Sequence, residues 1–105
     1  MELAFRTRSL RTVCQDHDEA VRMMGVAAAD VLRTRIADLR AVIYLADLPA
    51  GRPEVVDSDR PKLRFELSGG WSLLMRVGHE TVPRTEEGEL DQGRVRRALV
   101  EEISR

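Results

Sequence analysis

One cysteine, two histidines and four aromatic residues are all that the 105 residues offer of the side chains that most often carry catalysis, metals or base stacking. A single Cys14 excludes an intramolecular disulfide and any cysteine-rich metal site, and it suits a reducing compartment. Neither His17 nor His79 stands with other ligands at metal-binding spacing, so no metal and no cofactor is expected. No apolar run approaches the roughly 18 residues that a membrane-spanning helix needs. The opening "MELAFRTRSLRT" carries charges where a signal peptide would have an apolar stretch, so a cytoplasmic protein with no membrane partner is the expectation. Charge of one sign is missing too. Lys and Arg number 17 against 18 Asp and Glu. That balance removes a bulk electrostatic case for nucleic-acid binding and leaves only a local patch to carry one. Repeats and low-complexity segments are absent.

What is present is a globular chain. Hydrophobic residues make up 43%, and the length suits a single domain over residues 1–105. "ELAF" alternates, with Leu3 and Phe5 facing one way, and predicts a short strand. Ser9 is an N-cap type. After it Leu10, Val13, Cys14, His17, Val21 and Met24 recur at helical spacing up to Gly25, and Asp16 can recap the chain within that stretch. A second helix is expected from Val26 to about Tyr44, with Ala28, Leu32, Ile36, Leu39 and Ile43 as its buried stripe. The short connection at Gly25 predicts an antiparallel helical hairpin. "DLPAGRP" breaks the helix. Glu54 to Val56 can be a strand, and "DSDRP" reads as a loop.

The stretch "LRFELSGGWSLLMRVG", Leu63 to Gly78, carries the most information. A two-residue Gly69–Gly70 turn would mix apolar and polar residues on both faces of the hairpin. A three-residue Ser68–Gly70 loop pairs Leu67 with Trp71, Phe65 with Leu73 and Leu63 with Met75, and makes one face wholly apolar. The other face then holds Glu66 opposite Ser72, Arg64 opposite Leu74 and Lys62 opposite Arg76. Like charges directly opposite in a sheet repel. Solvent, Glu66, another carboxylate or a bound anion must offset that repulsion. A phosphate would bridge such a cluster through charge-assisted hydrogen bonds. A solvated face balanced by Glu66 is the competing reading.

Other residues have plainer readings. His17 falls on the apolar side of its helix as a half-buried histidine. His79, after the hairpin, can swing over the cationic face as an acid or base. Cys14 and Trp71 read as core, and Tyr44 is open either way. Arg94, Arg96 and Arg97 form a second basic cluster. The tail "VRRALVEEISR" fits a helix through Val95, Ala98, Leu99 and Ile103. A bulged strand that buries Ala98, Val100 and Ile103 is the alternative, and pattern alone slightly favours the helix.

The order of strand, helical hairpin, break and aromatic-led β-hairpin resembles the RelE/ParE-type toxins, in particular their compact HigB-like branch. "ELAFRTRSLRTVCQD", "ADVLRTRIADLRA", "LSGGWSLLMRV" and "PRTEEGELDQGRV" carry the likeness over nearly the whole chain. The resemblance implies an α+β fold with an antiparallel sheet packed on two helices, and it implies a strand at 95–103. It implies a toxin paired with an antitoxin, commonly one with a helix-turn-helix domain. Many relatives cut messenger RNA on the ribosome, and the ParE branch poisons DNA gyrase instead. For the nuclease, Arg64, Arg76 and His79 are the candidate catalytic residues, and Lys62, Arg60 and Arg96 the candidate RNA contacts. Two departures stand out. Ser72 follows Trp71 where relatives usually have arginine, and the end "EEISR" lacks the acidic, tyrosine and histidine residues that often close this branch.

Overall fold

A computed structural model describes residues 1–57 and 59–105; Ser58, within the expected "DSDRP" loop, lies outside the described residues. The chain begins with strand β1 (Glu2–Phe5), whose Leu3 and Phe5 pack toward the core. Helix α1 (Arg8–Gln15) follows. Its N-cap is Thr7, not the expected Ser9. Thr7 is the residue still in extended backbone, and its hydroxyl accepts the amide of Leu10 at 3.1 Å. Asp16 leaves the helical region and ends α1. Its carboxylate then accepts the amides of Asp18 and Glu19 at 3.0 and 3.4 Å and starts α2 (His17–Ala41).

Helix α2 is two arms joined at Gly25, which sits at φ +84°, ψ 170°. That backbone region is open to glycine and strained for other residues. His17 Nε2 lies 3.0 Å from Asp30 Oδ1. In a straight helix those residues would stand about 20 Å apart. The arms therefore fold back as the expected hairpin, and the buried Ala28 and Ala29 permit the close approach. Ile43 departs from the expected stripe. The helix stops at Ala41, Val42 turns extended, and Ile43 is 69% exposed. The chain breaks there so that Leu45, fully buried, can bond through its amide to the carbonyl of Val95 at 2.9 Å.

Strands β2 (Glu54–Val56), β3 (Lys62–Glu66), β4 (Ser72–Val77) and β5 (Arg97–Ser104) complete a five-stranded sheet of order β1-β5-β4-β3-β2. It is antiparallel from β2 through β5, and β1 joins its edge parallel to β5. The hairpin has the three-residue register: Leu63 faces Met75, Phe65 faces Leu73, and the amide of Leu67 reaches the carbonyl of Trp71 at 2.8 Å. Gly69 (φ +69°) and Gly70 (φ +82°) supply the left-handed turn. The tail is the bulged strand rather than a helix. Leu74 pairs with Glu102 and Met75 with Val100, so Glu101 is the extra residue.

One face of the sheet buries Leu63, Phe65, Leu73, Met75, Ala98, Val100 and Ile103 against Ala28, Leu32, Ile36 and Leu39 of α2. Burial of this kind contributes about 25 cal/mol for each Å² of apolar surface removed from water. Trp71 is half-buried against this core with the Arg105 guanidinium 5.8 Å from its ring. Burial pushes the Cys14 thiol up to about 11, although Arg40 opposes the shift, so the thiol is un-ionised at neutral pH. No helix among the described residues is long and apolar enough to cross a membrane.

Candidate anion-binding face of the sheet

Strand alternation dictates the outer face. With Leu63, Phe65, Leu73 and Met75 turned inward, Lys62, Arg64 and Arg76 must turn outward. Lys62 and Arg76 are directly paired across the ladder, as expected. Their repulsion is offset by a carboxylate of the chain itself. The β5 bulge aims Glu101 between them. Its Oε2 lies 3.3 Å from Lys62 Nζ and its Oε1 3.9 Å from an Arg76 guanidinium nitrogen. Glu101 is 17% exposed, against 33% for Lys62 and 49% for Arg76. Glu66, the carboxylate expected to balance the face, has no ion pair on it among the described residues.

Arg64 turns away from this pair toward the edge. It donates to Glu54 of β2 at 2.6 Å. That hydrogen bond, and then the Glu54 charge, hold the guanidinium above its ordinary range. The three cations expected to converge therefore divide into Lys62 with Arg76 on one carboxylate and Arg64 on another.

A second grouping forms just beyond the end of β4. Arg60, Arg76, His79 and Arg97 line one open cleft of about 530 Å³, with Asp59 and Glu80 on its walls. Arg60, Arg76 and His79 were all candidates in the sequence. Arg97, the first residue of β5, was not a candidate in the sequence, and it also pairs with Glu2 at 3.2 Å. Arg96 is exposed and contributes to this region through its backbone: its amide donates to His79 Nε2 at 3.0 Å. An Nε2 that accepts must be unprotonated, so the ring proton sits on Nδ1. Burial, then the charges of Arg96 and Arg97, push the His79 pKa down. At neutral pH His79 is a neutral N–H donor rather than a ready acid. Arg94 is held elsewhere, donating to Asp91 at 2.8 Å and to the carbonyl of Arg84.

Chemically, the cleft offers three guanidinium groups for an oxyanion, a neutral imidazole donor, and two carboxylates that can accept a proton. His17 takes no part. It ties the two arms of α2 together through Asp30. No group of His, Cys, Asp and Glu able to hold a metal occurs among the described residues. Glu101 escaped the sequence reading because the tail was open between helix and strand: once Ala98 and Val100 face inward, alternation turns Glu101 outward, and the bulge lets Glu102 face outward beside it. Compared with family models, curated proteins and solved structures, the chain matches none.

Proposed function

We propose that the chain is a toxin of a type II toxin–antitoxin pair, of the RelE/HigB-like kind, and that it cuts messenger RNA on the ribosome. The observation that carries this reading is the cleft where Arg60, Arg76, Arg97 and His79 meet beside two carboxylates. Cleavage of RNA by its own 2′-hydroxyl needs that proton removed, charge stabilised on the pentacoordinate phosphorus, and a proton delivered to the leaving 5′-oxygen. Arg76, at the centre of the sheet face, is assigned the phosphorane charge. Arg60 and Arg97 hold the flanking phosphates. Glu80 or Asp59 accepts the 2′-hydroxyl proton. His79, neutral, donates through Nδ1 to a phosphate oxygen, and the leaving-group proton comes from the ribosome or solvent. The site of action is the cytoplasm, and the partner is a helix-turn-helix antitoxin.

The test is induced expression in a bacterial host with mapping of messenger RNA ends. Growth arrest with new ends inside coding regions supports the reading. Unimpaired growth and an unchanged RNA end map rejects it.

A second reading is favoured by a specific observation. Lys62, Arg76 and Arg64 all have carboxylate partners within the chain, and His79 is already bonded. A face with its charges so paired suits a toxin-fold binding module that pairs with an antitoxin or inhibits gyrase without cutting RNA. Inhibition of supercoiling by purified gyrase, in the absence of RNA cleavage, selects it.

A further inference from the structure

Glu101 stands out on the outer face because it is poorly satisfied where it sits. It is mostly buried, and its Oε2 has no hydrogen bond among the described residues although Lys62 Nζ is 3.3 Å away. Its Oε1 is 3.9 Å from Arg76, beyond hydrogen-bond length. A desolvated carboxylate with contacts this long is incompletely compensated. Two openings flank it. Arg76 borders the cleft with Arg60 and His79, and Lys62 borders a groove of about 330 Å³ with Arg6, Leu74 and Glu102. An extended polyanion crossing from one to the other passes over Glu101. The Arg6 side chain is anchored there by donating to the Glu101 carbonyl at 2.8 Å, so the bulge backbone is fixed by a hydrogen bond while its carboxylate is held by the ion pairs alone.

We propose that Glu101 is an intramolecular competitor for phosphate: its carboxylate occupies the place between Lys62 and Arg76 that a phosphodiester of single-stranded RNA takes when RNA binds. This rests on the RNA reading above and adds a regulation to it, because the strand must displace the chain's own anion. A phosphodiester gives Arg76 two oxygens in the plane of its guanidinium, a geometry Glu101 does not reach. The resting face is therefore self-screened, which fits a chain with almost no net charge.

The experiment measures binding of a short, labelled single-stranded RNA with 2′-O-methyl riboses, which cannot be cleaved at the 2′-hydroxyl, by wild type and Glu101→Gln at several salt concentrations. Removing one carboxylate shared by two part-exposed pairs should tighten binding roughly tenfold. Freeing two cations should steepen the slope of log K against log salt by up to about 1.4, at about 0.7 per phosphate contact. The gain should vanish when Arg76→Ala is added to Glu101→Gln. Binding that Glu101→Gln leaves equal or weaker overturns the proposal. So does a gain that survives Arg76→Ala, or no binding by either protein at low salt. Should Glu101→Gln fail to fold, the carboxyl carbon resonance of Glu101 in the wild type is followed as the RNA is added: a shift supports displacement and an unmoved signal overturns it. Cleavage is not part of this readout. Tighter binding by Glu101→Gln with no cleavage on ribosomes keeps the competitor and removes the nuclease. Cleavage with unchanged binding does the reverse.

Discussion

The two faces of the sheet come from the same strands and obey opposite rules. On the inner face every residue of the β3–β4 ladder is apolar and essentially inaccessible to water: Leu63, Phe65, Leu73 and Met75 are at most 1% exposed. On the outer face the same strands hold Lys62, Arg64 and Arg76 at 33, 42 and 49% side-chain exposure, each with a carboxylate beside it. Inner contacts are numerous, non-directional and cooperative, so they set the register and the stability. Outer contacts are few and screened by solvent, so they contribute little to stability and remain free to exchange for a ligand. Specificity of fold lies on one side and capacity for function on the other.

This contrast can be broken most forcefully from inside. Phe65→Ala removes the largest fully buried side chain of β3 and should cost about 3–5 kcal/mol. In a chain of this size that lowers the thermal midpoint by at least about 12 °C. Calorimetry or denaturant unfolding reads it, and a loss below about 1 kcal/mol would mean the register is wrong. Next comes the helical layer. Gly25→Ala meets no neighbour within 4 Å among the described residues, so the cost expected is that of the backbone at φ +84°. The expected loss is about 1–3 kcal/mol, and an unchanged midpoint would argue against a turn there. The outer face should barely register in stability. Arg64→Ala, which breaks the solvent-screened Glu54 pair, should leave the thermal midpoint almost unchanged in calorimetry.

The smallest effect is on pH. The folded state holds the His79 pKa below its ordinary 6.5. The unfolded chain therefore binds more protons in the interval just below 6.5, and stability falls as pH drops through it. Above 6.5 both states are neutral and this contribution is flat. His79→Gln should remove that part of the acid-side slope in unfolding titrations, and an identical slope in both proteins would refute the assigned environment.

The same contrast explains what could be read in advance. The inner face was legible because a period of two fixes side-chain direction once the loop length is known, and only a Ser68–Gly70 loop made that face uniform. The helical hairpin was legible because Gly25 interrupts two apolar stripes. The tail was open to two readings because Val95, Ala98, Leu99 and Ile103 satisfy both a helical period and a strand with one residue inserted. The end of α2 was misjudged at Ile43, because long-range demand for Leu45 at the core overrode a local pattern that ran on. The outer face was half legible. That Lys62 and Arg76 meet followed from the register, and that a carboxylate must offset them followed from Coulomb's law. That the carboxylate is Glu101 depends on the tail being a strand that buries Ala98 and Val100, one of the two readings its spacing allowed. Arg97 entered the cleft because β5 pairs with β4, which sets Arg97 beside Gly78, a contact that depends on the tail being a strand.

The claim on which the functional account turns is that Arg76 acts on a phosphate rather than on the fold. Purified protein is added to ribosomes translating a defined messenger RNA, and the 5′ ends produced are counted for wild type and Arg76→Ala at matched thermal stability. The account predicts discrete ends within the reading frame for the wild type and their loss, by about a hundredfold or more, for Arg76→Ala with a midpoint shifted by no more than a few degrees. Equal cleavage by the two proteins, or none by the wild type, would contradict it.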